Sequence, residues 1–229
     1  MGKNGQLDAP HSSQTGSWKL VRFSVLLILI LSFVTIGGCG PAGLTNRRDD
    51  PLSAQEHFTL GSIYEKRGEM ALALREYEAA LERDPRFLSA MIRLGELSYA
   101  MGEYGRAERH YRKAIKLAPR DGDLYNNLCW TYLSQGKKLK RAESLIMRAM
   151  ELNPEHQGYY LDTLGAIYLK GHRYREAIKA LETATSFFDE TEPKLLAEVY
   201  QHLGLAYEGI GERSKAEEAF KKAEDLHNR

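Results

Sequence analysis

Hydrophobic and small residues recur along the chain at intervals of about 34 positions, beginning near residue 54. The first unit contains, in order, Leu60, Gly61, Tyr64, Gly68, Ala73, Tyr77, Ala80 and Pro85. Leu60, Gly61 and Tyr64 share one face of a first helix, and the alanines with Tyr77 share the facing side of a second. Gly68 is suited to end the first helix, and Pro85 cannot continue the second. The pattern therefore predicts a helix–turn–helix unit.

Four more units follow. The second and third keep Leu94, Gly95, Ala107, Tyr111, Ala114, Pro119, and then Leu128, Tyr132, Gly136, Ala142, Ala149 and Pro154. The fourth and fifth keep Leu164, Gly165, Tyr168, Ala177, Leu181, and then Leu203, Gly204, Tyr207, Gly211, Ala216 and Phe220. The step from Leu164 to Leu203 is longer than the others, so we predict a protruding corner before Pro193. We expect Phe187 and Phe188 to pack beneath it, with a partner-binding tip as the alternative.

These residues resemble the tetratricopeptide repeat family, whose 34-residue units carry Leu-Gly, Tyr, Ala, Phe and Pro at set places. The resemblance implies an all-α protein, a right-handed superhelix (solenoid) of about five helix–turn–helix repeats, whose first helices line the concave side. The expected repeats are about 54–87, 88–121, 122–156, 158–196 and 197–229. The polar last helix, with Glu224 where earlier repeats carry apolar residues, is expected to cap the array.

The N-terminal segment has a different character. Residues 23–36 form an apolar run without a charge, preceded by Lys19 and Arg22 and followed by Gly37, Gly38 and Cys39. Fourteen residues are too few for a typical membrane-spanning helix but suit a signal peptide. The end of the run resembles the bacterial lipobox, which implies cleavage after residue 38 and acylation of Cys39. An uncleaved membrane anchor is the alternative.

This resemblance implies a signal peptide at 1–38, a lipidated flexible tether at 39–53 and a repeat domain at 54–229. A lipid anchor such as palmitate would attach the protein to the membrane of a bacterial cell envelope. Because Gly40 rather than Asp follows the cysteine, we expect the outer membrane, with the domain facing the periplasm.

Composition narrows the function. The 229 residues carry 32 Lys and Arg against 31 Asp and Glu, a formal charge of +1, which argues against nucleic acid as a partner. The two cysteines form neither a disulfide framework nor a metal cluster, and Cys129 is expected to be a small packing residue. The seven histidines include no His-Glu-x-x-His motif, and no Gly-rich phosphate loop is present. We therefore predict a non-catalytic protein with no cofactor and no metal.

The candidate binding residues are the inward positions of the first helices. The groove is predicted to contain Phe58, Ser62, Glu65, Ile92, Glu96, Tyr99, Asp123, Asn126, Trp130, Tyr159, Asp162, Glu198, Gln201 and Glu208. The inward positions include six acids but no Lys or Arg, whereas the outer surface is expected to carry mixed charge. Repeat modules that hold chaperone C-termini use a clamp of Lys, Arg and Asn, of which only the Asn is present here. At the same inward register, Leu133, Leu169 and Leu205 are expected to be core, and Trp130 is either core or a partner anchor.

An apolar groove with an acidic rim suits a protein or peptide with apolar anchors and basic flanks. The combined architecture resembles the lipoproteins that help the secretin of type IV pili assemble. A scaffold for peptidoglycan-remodelling enzymes and a self-associating homo-oligomer are the alternatives.

Overall fold

The computed structural model describes residues 50–188 and 192–228; the predicted signal peptide and Cys39 lie outside this part. Ten α-helices and no strand occupy the described residues, which confirms the all-α prediction. They are α1 (Ala54–Lys66), α2 (Met70–Arg83), α3 (Leu88–Ala100), α4 (Tyr104–Leu117), α5 (Gly122–Ser134), α6 (Leu139–Leu152), α7 (Gln157–Lys170), α8 (Tyr174–Thr185), α9 (Pro193–Gly209) and α10 (Arg213–His227). None of these helices is long and apolar enough to cross a membrane.

The helices pack as five consecutive pairs, each repeat contributing a first and a second helix. The glycine of each Leu-Gly pair lets the two helices approach closely. A Cβ at Gly61 would lie 2.6 Å from the ring of Tyr77, and one at Gly95 would lie 2.6 Å from the ring of Tyr111. The predicted helix pairing is therefore confirmed, and large side chains of the second helix fill the space above the glycines.

The turn inside each repeat contains left-handed backbone, at one residue in four of the repeats and at two, Gly136 and Lys138, in the third. Gly68, Gly102, Gly136 and Gly211 supply it, with φ between +61° and +82°. In the fourth repeat His172 occupies the equivalent place with φ of +56°. A side chain in this conformation is strained, so the fourth turn departs from the other four.

Successive repeats are joined by a recurring polar contact. The Tyr132 hydroxyl donates to Glu108 of the preceding repeat at 2.8 Å, and Lys138 contacts the same carboxylate at 2.9 Å. The next boundary places Arg173 2.9 Å from Glu143. Beneath these contacts, Cys129 is fully buried and burial raises the pKa of its thiol to about 12, which disfavours the reactive thiolate.

Two predicted boundaries need correction. The fifth repeat was expected to begin at residue 197, but α9 begins at Pro193, because proline is favourable in the first turn of a helix. The long corner is therefore partly absorbed into α9. Residues 50–53, predicted as the end of a flexible tether, are instead engaged with the repeat domain: Asp50 lies 3.1 Å from buried His57, and Ser53 caps α1.

The two phenylalanines of the long corner behave differently. The ring of Phe188 packs edge-on against Tyr159, with centroids 5.4 Å apart, and approaches Gly158. Phe187 touches Gly158 through its Cβ, but half of its surface is exposed. The expectation that both pack beneath the corner is therefore met by Phe188 and only in part by Phe187.

Candidate functional site

The candidate wall is formed by the first helices α1, α3, α5, α7 and α9, of which α3, α5, α7 and α9 contact one another in succession. The predicted groove residues differ in exposure along it. Half-buried members are Phe58, Ser62, Glu65, Ile92, Glu96, Tyr99, Asn126 and Trp130. Exposed members are Asp123, Tyr159, Glu198, Gln201 and Glu208, while Asp162 is buried. As expected, Leu133 and Leu169 are buried in the core, whereas Leu205 is half-buried.

A base occupies the N-terminal part of the wall. Arg93 of α3 donates to Glu96 at 2.8 Å and lies 3.8 Å from Glu65 of α1. Glu65 also accepts a hydrogen bond of 2.6 Å from the buried Tyr77 hydroxyl. Burial and this carboxylate raise the pKa of Tyr77 to about 12. None of the predicted inward positions carries a base, but Arg93, which follows Ile92 in the chain, offsets two of the six acids.

Trp130 belongs to a hydrogen-bonded link between the third and fourth repeats. Its indole Nε1 donates to Thr163 Oγ1 at 3.1 Å, and that hydroxyl donates to Asn126 Oδ1 at 3.0 Å. The Trp130 side chain also packs against the main core cluster while remaining half-buried. Trp130 therefore holds two repeats together, whatever part it takes in binding.

A second link joins the fourth and fifth repeats. His202 Nδ1 of α9 lies 2.7 Å from Asp162 Oδ1 of α7. Burial by itself would lower the pKa of His202, but Asp162 and the nearby Glu198 reverse the direction and raise it. Although Glu198 is exposed as a residue, partial desolvation of its carboxyl group and the nearby Asp162 raise its pKa. Asp162 is thus buried and engaged by His202, and it is less available to a partner than an exposed carboxylate would be.

Arg93, Thr163 and His202 share one place in the repeat, directly before Leu-Gly. Each reaches back to an inward residue of the preceding repeat. In the first repeat, which has no predecessor among the described helices, the equivalent Thr59 bonds to its own helix. This position was not among the predicted site residues, although a polar residue occupies it in all five units. That periodicity was the available signal.

The C-terminal part of the wall retains exposed groups. Tyr159 is 45% exposed, and burial together with Glu192 and Glu198 raises the pKa of its hydroxyl. Gln201 and Glu208 of α9 are exposed on the same helix as Glu198. An aromatic ring beside free carboxylates can accept an apolar side chain and a neighbouring Lys or Arg. This surface is chemically suited to binding rather than to catalysis.

Asp123 lies at the start of α5 and is also engaged within the protein. Its carboxylate accepts a 2.6 Å hydrogen bond from Tyr160 and lies 2.9 Å from His156 Nδ1. Within the residues that the structure describes, no group of three or more His, Cys, Asp and Glu side chains is arranged to hold a metal ion.

Models of known protein families match most of the chain. Two models, each described as a tetratricopeptide repeat, match residues 58–121 and 92–156, and residues 157–229. The matched region thus runs almost continuously from α1 to the end of the chain.

Individual relatives share the fold but little sequence. Anaphase-promoting complex subunit 3 of Schizosaccharomyces pombe is 27% identical over 135 residues, which cover 59% of this chain. The chain spans only 20% of that relative's length. YrrB, a solved protein with an unusual peptide-binding site, is 24% identical with a TM-score of 0.58, over 79% of this chain and 88% of its own. PilW, a widely conserved type IV pilus biogenesis factor, is 16% identical with a TM-score of 0.68, over 77% and 78%.

Proposed function

The chain belongs to the tetratricopeptide repeat family, and on that premise we propose that it is a non-catalytic adaptor held to a bacterial membrane by a lipid on Cys39. Its inner wall binds a protein segment with apolar anchors and basic flanks. One observation carries the binding proposal: the exposed Tyr159, Glu198, Gln201 and Glu208 lie together on the two C-terminal first helices.

Contacts within the protein limit which acids of the wall are available to a partner. The acids of the first two repeats face Arg93, and Asp162 faces His202. Glu198 and Glu208 are exposed and therefore available to a basic side chain of a partner. We place the main contact on α7 and α9 rather than along the whole groove.

Paired charge removals test this placement. Glu198→Gln with Glu208→Gln should weaken capture of the partner from detergent-solubilised envelopes, and the effect should shrink at high salt. Glu217→Gln with Glu224→Gln makes the same change of net charge at exposed positions of α10 and serves as the matched control. Equal loss of capture in both pairs would show that net charge, not the wall, determines binding.

The narrower form of the proposal is a role in type IV pilus assembly, on the outer membrane facing the periplasm. It is supported by the architecture shared with PilW, which reaches beyond three quarters of both chains. Recovery of the pilus secretin with the wall intact, and its loss in the Glu198 and Glu208 pair, would support this role. Recovery of peptidoglycan hydrolases, or of this chain alone, would instead favour the scaffold or the self-associating protein.

The proposed lipid anchor on Cys39 is tested separately. Cys39→Ala should abolish acylation and release the chain from the membrane fraction, because the thiol carries the lipid. Mass spectrometry and membrane fractionation measure both effects. An unchanged mass and continued membrane residence would show that Cys39 is not the anchor.

A further inference from the structure

Positive charge is concentrated on the second helices of the second and third repeats. Residues 103–120 and 137–151 contain eleven Lys and Arg against four Glu. The first helices of the same repeats, α3 and α5, contain Arg93, Glu96 and Asp123 as their charged residues. Positive charge therefore predominates at this place on the outer surface.

We call the exposed bases of this region the basic face. Its exposed members are Arg109, Arg112, Lys113, Lys116, Arg120, Lys137, Lys138, Lys140, Arg141 and Arg148. Lys113 of α4 and Arg148 of α6 occupy the same place in successive repeats, so they point to the same side of the array. Contact across the boundary is direct, since Lys138 lies 2.9 Å from Glu108 of α4.

The few acids of this region are already occupied by bases. Glu103 contacts Arg106 at 3.2 Å, Glu108 contacts Lys138, and Glu151 contacts Arg148 at 2.7 Å. The excess positive charge also acts on half-buried His110. Burial and then Arg106, Lys113 and Arg109 lower the pKa of this histidine to about 4.

One of the two helices also carries an exposed apolar side chain. Met147 of α6 is 55% exposed, the highest value among the large hydrophobic side chains of the described residues. It occupies the place that Arg112 has in the preceding repeat, and Arg148 follows it directly. A flexible apolar side chain surrounded by Lys and Arg is typical of surfaces that lie in the interface of an anionic bilayer. A binding site for nucleic acid would require the positive charge but not the exposed methionine.

We propose that the basic face docks on a membrane surface of anionic phospholipids, with Met147 inserted among the headgroups. This inference rests on the proposed lipid anchor only in that the anchor brings the domain close to a bilayer. Docking by the outer face leaves the inner wall free for the protein partner.

Oxidation of methionine by dilute peroxide measures the docking directly. The full chain is mixed with vesicles of neutral phosphatidylcholine, or of phosphatidylcholine with one third phosphatidylglycerol, and sulfoxide formation is followed by mass spectrometry. Met147 should oxidise several-fold more slowly with the anionic vesicles, because a buried thioether is shielded from oxidant. Met70, 41% exposed in the first repeat, is the internal reference and should not change. Raised salt should remove the protection.

Two sets of variants with the same change of net charge distinguish an effect of the basic face from an effect of net charge. The set Lys113→Gln, Lys116→Gln, Lys137→Gln and Lys140→Gln should abolish protection, since each Lys near an anionic surface contributes about fivefold in affinity. The set Lys66→Gln, Lys179→Gln, Lys194→Gln and Lys221→Gln changes the net charge equally, at exposed positions elsewhere, and should retain protection.

Every outcome bears on the proposal. Equal oxidation of Met147 in both kinds of vesicle, or protection that survives the first variant set, would overturn it. Protection by a short RNA or by an acidic polypeptide, without protection by anionic vesicles, would make the face a site for that polymer and would also overturn it. Failure of anchorage is distinguishable: the chain would then not float with neutral vesicles, whereas protection of Met147 by anionic vesicles would persist.

Discussion

Replacing Gly95 with Ala should destabilise the second repeat, although alanine favours helix more than glycine does. A Cβ at Gly95 would lie 2.6 Å from Cε1 and 2.9 Å from both Cδ1 and Cζ of Tyr111. Ordinary contact begins at 3.4 Å, so the ring must move by about 0.8 Å. Tyr111 is only 3% exposed and is packed in the main core cluster, so it has little room to move.

The magnitude follows from two opposing effects. Overpacking a core costs about 1–3 kcal/mol, and three ring contacts place this site in the upper part of that range. Replacing a glycine with alanine inside a helix stabilises the helix by about 1 kcal/mol. The net loss should be about 2 kcal/mol in the free energy of unfolding, or about 4–8 °C in Tm for a domain of this size.

Gly105 provides the matched control within the same repeat. It lies in the first turn of α4, and a Cβ there would meet no heavy atom within 4 Å. Gly105→Ala should therefore stabilise the protein by about 0.5–1 kcal/mol. Urea unfolding measures both variants, and hydrogen exchange in α3 and α4 localises the effect. If Gly95→Ala proves as stable as Gly105→Ala, close approach of the helices is not what requires this glycine.

Three further predictions concern the contacts between and within repeats. Asp162→Asn should lower the free energy of unfolding by about 1.5 kcal/mol at pH 5–6, where His202 is protonated. Because the fold raises the pKa of His202, this contribution is complete below the ordinary histidine pKa of 6.5. It is lost as the pH rises through the folded-state pKa of His202. The difference in the free energy of unfolding between Asp162→Asn and the parent chain should therefore shrink in alkaline buffer. Trp130→Phe should cost about 1 kcal/mol by removing the hydrogen bond to Thr163; no loss in urea unfolding would show that the bond is not formed in solution. His172→Gly should stabilise the chain by about 0.5–1 kcal/mol, since glycine adopts positive φ without strain, and a lower Tm would contradict this account of the fourth turn.

The helix pairs could be predicted from sequence because they are set by local spacing. The Leu-Gly pairs lie over the aromatic or leucine of the second helix, as Gly61 does over Tyr77, and the turn glycines mark the helix ends. The beginning of α9 could not be predicted in this way. The long corner contains no repeat residue to fix the register, and Pro193 allows the helix to begin four residues before the expected place.

The candidate site was predicted less completely. Inward positions follow from helical periodicity, and the described first helices place them on a common wall. Whether a carboxylate there is available depends on the neighbouring repeat. Arg93 approaches Glu65 and His202 approaches Asp162 across repeat boundaries, over 28 and 40 positions of the chain. No spacing rule within a single repeat contains that information.

The amino-acid sequence by itself determined the class of the fold, the number of helix pairs in the described part and the line of inward positions, because a 34-residue period acts through contacts between near neighbours in the chain. Only the tertiary structure decided which of those positions are free. Stacking brings side chains of successive repeats within hydrogen-bond distance, so that Arg93, Thr163 and His202 engage part of the wall while Tyr159 and Glu198 remain open. The same stacking places the exposed Lys113 of α4 and Arg148 of α6, which follows Met147, at equivalent positions of successive repeats. The net charge of a chain is a sum over all its residues, whereas the place of each charge on the surface depends on how each repeat is rotated relative to the one before it.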